Sequence, residues 1–332
     1  MLPKDFICPF PGLEEALAEE PAVSVRVNRA KGIAVPHGAE TVPWCPSGFW
    51  LGDRPQFTWD PTLHQGLYYV QDASSMITTL AVKQAVSLLG LTSGVLLLDA
   101  CAAPGGKTIA AIDALPQGSM AVANEYVPGR AAILAENLAK WGSPAKMVTR
   151  GDTARFRRLP GTFDIVMADV PCSGEGMFRK DPEAVRQWTP ALVEECAARQ
   201  REIVANLWET LREGGIFIYS TCTFNRTENE DMLAWLLAEY PDGIHIPLDI
   251  PDGWGPVTTD GCTHFVPGRV RGEGLTIFMV SKGVPGSGMR QQPSRRASSA
   301  DRNRKSKKTS APVSPDCFRW LDSGEEYDIR DE

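Results

Sequence analysis

The chain has 332 residues, 43% hydrophobic and 23% charged, with a formal net charge of −7. That balance is a soluble globular protein's, and the length exceeds one ordinary core, so two domains and a tail are expected. No apolar run approaches the roughly 20 residues that span a bilayer, and Met1 to Phe10 carries Lys4 and Asp5 instead of a signal-peptide core; the expectation is a cytoplasmic protein with no membrane contact.

The first 40 residues read as a small α/β piece: Leu13 to Leu17 is a short helix, and Ala22 to Asn28 alternates at the strand period. Residues 41–75 set Trp44, Trp50, Trp59, Tyr68 and Tyr69 among prolines and glycines, a pattern of loops with short strands. A helix is predicted from Ser74 to about Leu89, with Asp72 or Ser74 as its N-cap.

From Gly94 the pattern becomes strand, turn, helix, repeated. Val95 to Asp99 is a continuous apolar run of the buried parallel-strand type. Further strands are predicted at Met120–Glu125, Lys146–Thr149, Phe163–Asp169 and Ile216–Ser220. Helices are predicted from Gly129 to Trp141, from Thr189 or Pro190 to Arg212 with Gly214-Gly215 as its stop, and from Glu228 to Tyr240. Residues 244–280 read as closing β structure. Such alternation means an α/β, doubly wound sheet. The domain plan is 1–75, then 76–283, then 284–332. Residues 281–315 are low-complexity and expected to be disordered, and Phe318 to Leu321 starts a further small element. Nine Lys or Arg against one Asp fall between Lys282 and Lys308, either a solvated linker or a nucleic-acid-binding arm.

Eight cysteines lie at 8, 45, 101, 172, 196, 222, 262 and 317, none spaced Cys-x-x-Cys. That argues against a zinc ribbon or thioredoxin-like site, and no metal is expected. Cys8, Cys45, Cys196, Cys262 and Cys317 read as buried small apolar groups. His64 and His264 show no acid or metal partner in the sequence and read as structural.

Two sites carry chemistry. After the first parallel strand comes Cys101-Ala102-Ala103-Pro104-Gly105-Gly106-Lys107, neither a Gly-x-Gly-x-x-Gly fingerprint nor a Walker loop. Its glycines let backbone approach a ligand, and Lys107 at the helix start could meet a carboxylate. Glu125 ends the next strand, where an acid accepts ribose hydroxyls, and Asp152 ends the third, placed for an adenine amino group. Three polar groups on successive strand tips fit S-adenosylmethionine. Cys172 and Cys222 each follow a strand, so both are expected at the carboxyl edge of the sheet, where open α/β sheets do chemistry.

Asp99 to Lys107, Asp169-Val170-Pro171-Cys172-Ser173-Gly174 and Tyr219-Ser220-Thr221-Cys222-Thr223-Phe224 together resemble the Nop/Sun family of RNA (cytosine-C5)-methyltransferases. Gly174 to Pro182, Trp59 through Met76, and Gly272-Glu273-Gly274 are similar to its RsmF-type bacterial branch, which modifies small-subunit ribosomal RNA; the similarity covers about residues 10–283. Val170 stands where alanine is commoner. The resemblance implies a Rossmann-like S-adenosylmethionine-dependent methyltransferase fold behind a small N-terminal RNA-binding-like α/β domain. The last 49 residues would be a basic tail or the start of a truncated C-terminal domain.

It further implies Cys222 as the nucleophile that adds to cytosine C6, Cys172 as the group assisting release, and Asp169 as the hydrogen-bonding partner of the ring edge. The implied cofactor set is Cys101, Ala102, Ala103, Pro104, Gly105, Gly106, Lys107, Glu125, Arg130, Asp152 and Asp169. Cys222 is expected to have a lowered pKa, with Lys107, Arg179 or Lys180 as the source of positive charge. Phe178, Arg179 and Lys180 are the expected RNA contacts, with Tyr68, Tyr69 and Trp188 as further stacking candidates. The expected partner is RNA: ribosomal RNA or an assembling subunit first, transfer RNA second, bound by a monomer. Two other classes are weaker: a non-catalytic RNA-binding assembly factor has no use for two edge thiols, and methyltransferases of small molecules or protein amides often carry Pro-Pro-Tyr where Pro171-Cys172 stands.

Overall fold

The structure, a computed structural model, describes residues 2–32 and 38–288. Most of the basic run, the element expected at Phe318 and Cys317 lie outside the described residues.

The chain begins with a short helix, α1 (Leu13–Leu17), then β1 (Val23–Val27), β2 (Glu40–Thr41), β3 (Gly48–Leu51), a one-turn α2 (Pro61–His64) and β4 (Tyr68–Val70). The four strands form an antiparallel sheet in the order β2-β3-β1-β4. The alternation in β1 is used on both faces. Val25 and Val27 pack with Phe49 and Tyr68, whereas Arg26 points the other way into the larger domain. There its guanidinium donates to Gln71 Oε1 (2.8 Å) and to Thr79 Oγ1 (2.7 Å), and reaches Asp113 Oδ2 at 3.4 Å.

α3 (Thr78–Leu88) follows a 3-10 turn at Ser74–Ile77. Asp72 caps this run, its carboxylate accepting from the Ser75 amide at 3.1 Å. Next come β5 (Leu96–Asp99), α4 (Gly106–Ala114), β6 (Met120–Glu125), α5 (Pro128–Trp141), β7 (Lys146–Arg150) and β8 (Phe163–Asp169). After them stand α6 (Pro182–Gln187), α7 (Pro190–Trp208), β9 (Leu211–Thr221) and α8 (Glu230–Glu239). The closing strands are β10 (Gly243–Ile246), β11 (Val257–Thr259), β12 (Cys262–Phe265) and β13 (Leu275–Lys282).

The large sheet runs β11-β12-β13-β9-β8-β5-β6-β7, with β10 also on β13. Strands β7, β6, β5, β8 and β9 are parallel; β13 joins β9 antiparallel. The centre of the sheet is covered on both faces, which is why β5, β8 and the second half of β9 read as unbroken apolar runs, while the edge strands β7 and β11 do not. Leu97, Ile165, Met167, Ile216 and Ile218 face α3, while Leu96, Leu98, Val166, Ala168 and Phe217 face Ile203, Val204 and Leu207 of α7. Chain order reverses direction between β5 and β8, and ligands bind outside the carboxyl ends of strands at such a switch point. Among the described residues no helix is long and apolar enough to cross a membrane.

Two expectations fail. Residues 281–288, read as the start of a disordered stretch, hold the end of β13 and a loop whose Gly286 amide donates to the Gly214 carbonyl at 2.9 Å. Gly214-Gly215 does not stop the preceding helix, which ends at Trp208; both glycines lie inside β9. The Thr210 amide turns back to the Leu207 carbonyl at 2.9 Å, and Leu211 already pairs with Phe163. The register then shifts between Phe163 and Ile165. Gly214 takes φ +70°, and a Cβ there would come within 2.5 Å of the Ser287 amide, so this pair bulges a strand beside a closely passing loop.

Candidate active site

The carboxyl ends of β5, β6, β8 and β9 converge on one cleft of about 740 Å³. Its lining includes Cys101, Glu125, Arg130, Asp152, Asp169, Cys172 and Cys222. Of the residues expected to hold a cofactor, the turn Cys101–Lys107 also borders a smaller cavity of about 160 Å³, lined on its far side by Tyr69, Gln71 and Asp72. Cys101 and Asp169 belong to both.

The turn between β5 and α4 is shaped by Gly105, at φ +113°, a conformation open to glycine alone. It is held from outside: Gln71 Nε2 donates to the Gly106 carbonyl at 3.0 Å and Arg130 Nη2 to the Ala103 carbonyl at 2.9 Å. Glu125 is almost wholly buried at the end of β6, its Oε1 accepting from the Val127 amide at 2.9 Å. Its Oε2 lies 3.5 Å from Arg130 Nη1. Asp152 is exposed at the rim and accepts from the Ala154 amide at 2.8 Å.

Beneath the turn, Asp99 is fully buried and accepts from Thr108 Oγ1 at 2.6 Å, while its other oxygen has no hydrogen-bond partner. Burial pushes its carboxyl up to about 7, against the hydrogen bond from Thr108. Burial also pushes the Cys101 thiol well above the ordinary range, with the charges of Asp99, Asp169 and Glu125 adding to it.

Cys172 and Cys222 come together, Sγ to Sγ at 3.2 Å. Their strands are parallel neighbours, with Asp169 opposite Ser220, so two loops leaving the same sheet edge meet. Asp169 stands beside them: Lys107 Nζ donates to its Oδ2 at 2.8 Å and Ser220 Oγ to its Oδ1 at 2.8 Å. Burial disfavours the Lys107 ammonium, but the charge and hydrogen bond of Asp169, joined by the Cys222 sulfur, outweigh it and hold its pKa above the usual value. Cys172 is driven well up, first by its hydrogen bond with Cys222, then by burial and by the charges of Cys222 and Glu228.

Of the three cations expected near Cys222, Lys107 alone is engaged with the site in this way. Arg179 Nε and Lys180 Nζ instead approach Glu273, at 3.8 Å and 3.5 Å. Phe178 is not an exposed stacking group. It is 8% exposed, with its ring edge-on to Phe6 at 5.3 Å and near Trp188; polar neighbours in sequence mask a side chain that turns inward. Trp188 is buried likewise, and Tyr68 is buried with its hydroxyl on Asp60 at 2.6 Å. Tyr69 remains at the cavity edge. His264 does have an acid partner: buried, its Nε2 meets Glu230 Oε1 at 3.0 Å across 34 residues of sequence, where the start of α8 comes against β12. His64 Nε2 meets the Thr58 carbonyl at 2.9 Å.

Several site residues are given no role by the sequence, although Ser220 and Glu175 lie inside motifs quoted above. Ser220 is one; Arg199, Glu202 and Asn206 of α7 line the cleft, and Glu175 and Glu228 sit behind the cysteines. Among the described residues no cluster of three or more His, Cys, Asp or Glu side chains is arranged to hold a metal ion.

Residues 86–280 match the family profile described as 16S rRNA methyltransferase RsmB/F, and residues 5–73 match that of the N-terminal domain of 16S rRNA methyltransferase RsmF. The ribosomal RNA small subunit methyltransferase F of Pectobacterium carotovorum subsp. carotovorum is 36% identical over 276 residues, covering 78% of this chain and 56% of that one. The chain thus spans about half the length of the curated relatives it matches. A methyltransferase homolog protein from Pyrococcus horikoshii superposes with a TM-score of 0.66 at 24% identity, covering 81% of this chain and 89% of that one. NSun6 from Pyrococcus horikoshii, solved with SFG, gives a TM-score of 0.65 at 17% identity, covering 81% of this chain and 93% of that one. At these identities the two structures speak for the fold.

Proposed function

The chain belongs to the 16S rRNA methyltransferase RsmB/F family, and from that premise we propose that it methylates C5 of a cytosine in RNA, with small-subunit ribosomal RNA as substrate and S-adenosylmethionine as cofactor. The observation that carries this reading is the pair of thiols 3.2 Å apart on the carboxyl edge, beside the Lys107–Asp169 ion pair.

The cleft suits the cofactor. Gly106 brings backbone to the smaller cavity, and the Glu125 carboxylate at the end of β6 suits ribose hydroxyls. Asp152 at the rim suits an adenine amino group, and the Arg130 guanidinium braces both the turn and Glu125. When bound, S-adenosylmethionine supplies an electrophilic methyl on a sulfonium sulfur.

The protein's own residues make the cytosine ring nucleophilic. Cys222 Sγ adds to C6, forming a C–S bond and pushing electron density toward C5. Asp169, held by Lys107 and Ser220, meets the ring edge: as a carboxylate it accepts from the amino group and orients the base, and as the acid it donates its proton to N3, which offsets the negative charge that addition creates. After the methyl reaches C5, the C5 proton leaves toward Cys172, directly or by relay. The C5=C6 double bond re-forms and the C6–S bond breaks, returning Cys222. Reaching the base requires it unstacked from its RNA. Lys180, still partly exposed beside the site, is the group we assign to phosphate contact, with Arg179 behind it.

Incubating the Cys172→Ala protein with ribosomal and transfer RNA and S-adenosylmethionine, followed by a denaturing gel, tests the scheme. A slow-migrating, nuclease-sensitive band is expected, because addition proceeds and release fails; Cys222→Ala should give neither band nor methyl transfer. Full activity in Cys222→Ala would sink the assignment of the nucleophile.

A further inference from the structure

Two fully buried carboxylates that the reaction scheme does not use, Glu175 and Glu228, lie behind the thiols. Glu175 is on the loop that carries Cys172, yet its Oε2 accepts from the amides of Phe224 and Asn225, at 2.6 and 3.0 Å, just past Cys222. Its Oε1 accepts from Asn225 Nδ2 at 2.8 Å and from Trp188 Nε1 at 3.2 Å. Glu228 is on the loop that carries Cys222, yet it accepts from both the amide (3.1 Å) and the hydroxyl of Ser173, next to Cys172. Asn225 Nδ2 at 2.8 Å and Gln200 Nε2 at 2.6 Å complete its shell. Each cysteine loop thus supplies the acid that holds the other loop's backbone. A third tie, from the Gly176 amide to the Cys222 carbonyl at 2.7 Å, runs where a Cβ on Gly176 would come 2.8 Å from that oxygen.

The donor sets favour the charged form of each acid. Every group around Glu175 donates, so a protonated carboxyl there would have no acceptor for its hydrogen; around Glu228 the Ser173 hydroxyl alone is able to accept as well as donate. Burial pushes both pKa values up, and the hydrogen bonds that each carboxyl accepts oppose it. Neither touches the cleft, so neither can meet a base.

Resting on the reading that Cys222 adds to cytosine and Cys172 assists release, we propose that Glu175 and Glu228 are positioning residues that serve different steps. Glu175, through the backbone of Phe224 and Asn225, aims Cys222 for addition to C6. Glu228, through Ser173, aims Cys172 for loss of the C5 proton and elimination. The split follows from which loop each acid holds. A glutamine at either place turns an NH2 toward existing donors and frees the loop it held.

The test compares Glu175→Gln, Glu228→Gln and the milder Ser173→Ala with wild type on an RNA that wild type methylates. Folded fraction is fixed by melting and by S-adenosylmethionine binding, and adduct formation and methyl product are followed in a single turnover. Misplacing a reacting group by about 1 Å can cost roughly 10²-fold. On that scale Glu228→Gln should form adduct at near the wild-type rate but release product about 10-fold or more slowly, so that adduct accumulates. Ser173→Ala should show the same pattern more weakly. Glu175→Gln should slow adduct formation by a similar factor without accumulation. An adduct-to-product ratio equal to wild type in all three, with losses tracking folded fraction, would overturn the assignment and leave the two acids merely structural. Wild type that transfers methyl without ever forming an adduct would overturn the covalent reading itself, and the division of steps with it.

Discussion

Lys107 shows how much of this site depends on single charges. Its ammonium is mostly buried, and it is kept protonated by Asp169 at 2.8 Å. Lys107→Met would leave Asp169 without the cation that orients it, and loss of one preorganised electrostatic partner typically costs about 10²–10³ in rate. The expected result is a fall in kcat/KM of that order at a melting temperature near wild type, measured by methyl transfer and thermal unfolding. Asp99 gives a different readout. Its carboxyl sits at about 7 in the fold because of burial, against about 3.9 in an unfolded chain. Its proton is bound more tightly in the native state, so its contribution to stability is complete below about pH 4 and is lost as pH rises through about 7. Asp99→Asn keeps an acceptor for Thr108 and removes the titration. Urea midpoints taken across that window should therefore fall less with pH in the variant than in wild type; identical slopes would refute the buried, protonated Asp99.

At the scale of elements, β5, β8 and the second half of β9 were legible because each is covered on both faces and so reads as a continuous apolar run, unlike the edge strand β7 with its Lys, Thr and Arg. The cap at Asp72 was legible because capping is local chemistry. Gly214-Gly215 misled for a related reason: the same dipeptide ends helices and bulges strands, and only the loop at 284–288 passing within contact distance decides between them. The turn before α4 is the strictest element. At φ +113° Gly105 tolerates no side chain, and a Cβ there would also press Leu134 Cδ1 at 3.3 Å. Gly105→Ala should cost about 1–3 kcal/mol, the usual penalty for a strained backbone position. Because the strain falls on the cofactor turn, calorimetric titration should show weaker S-adenosylmethionine binding as well; unchanged affinity would mean that the turn does not hold the cofactor.

For the whole molecule, the small sheet and the large one are joined through polar groups that no motif announces. Arg26 reaches across to Thr79 of α3 and Asp113 of α4, and its partner Gln71 hydrogen-bonds the Gly106 carbonyl in the cofactor turn. Asn28 Nδ2 adds a bond to the Trp141 carbonyl at 2.8 Å. Leaving a buried polar group without its partner costs about 1–3 kcal/mol, and Arg26 serves the buried Gln71 and Thr79 beside the part-exposed Asp113. Arg26→Leu should therefore destabilise by roughly that much, read as a lower urea midpoint, with cleavage by protease concentrated in the first 75 residues. The sequence by itself determined the α/β class, the places of the parallel strands and the residue types near their carboxyl ends, because hydrophobic period, glycine turns and polar strand ends are properties of short segments. Only the tertiary structure decided that two thiols 50 residues apart touch, that Lys107 meets Asp169 and that Phe178 turns inward. It alone also decided that Glu175 and Glu228 brace each other's loops. These depend on which strands lie side by side and where separate loops meet, and no local pattern of residues encodes a distance across a sheet.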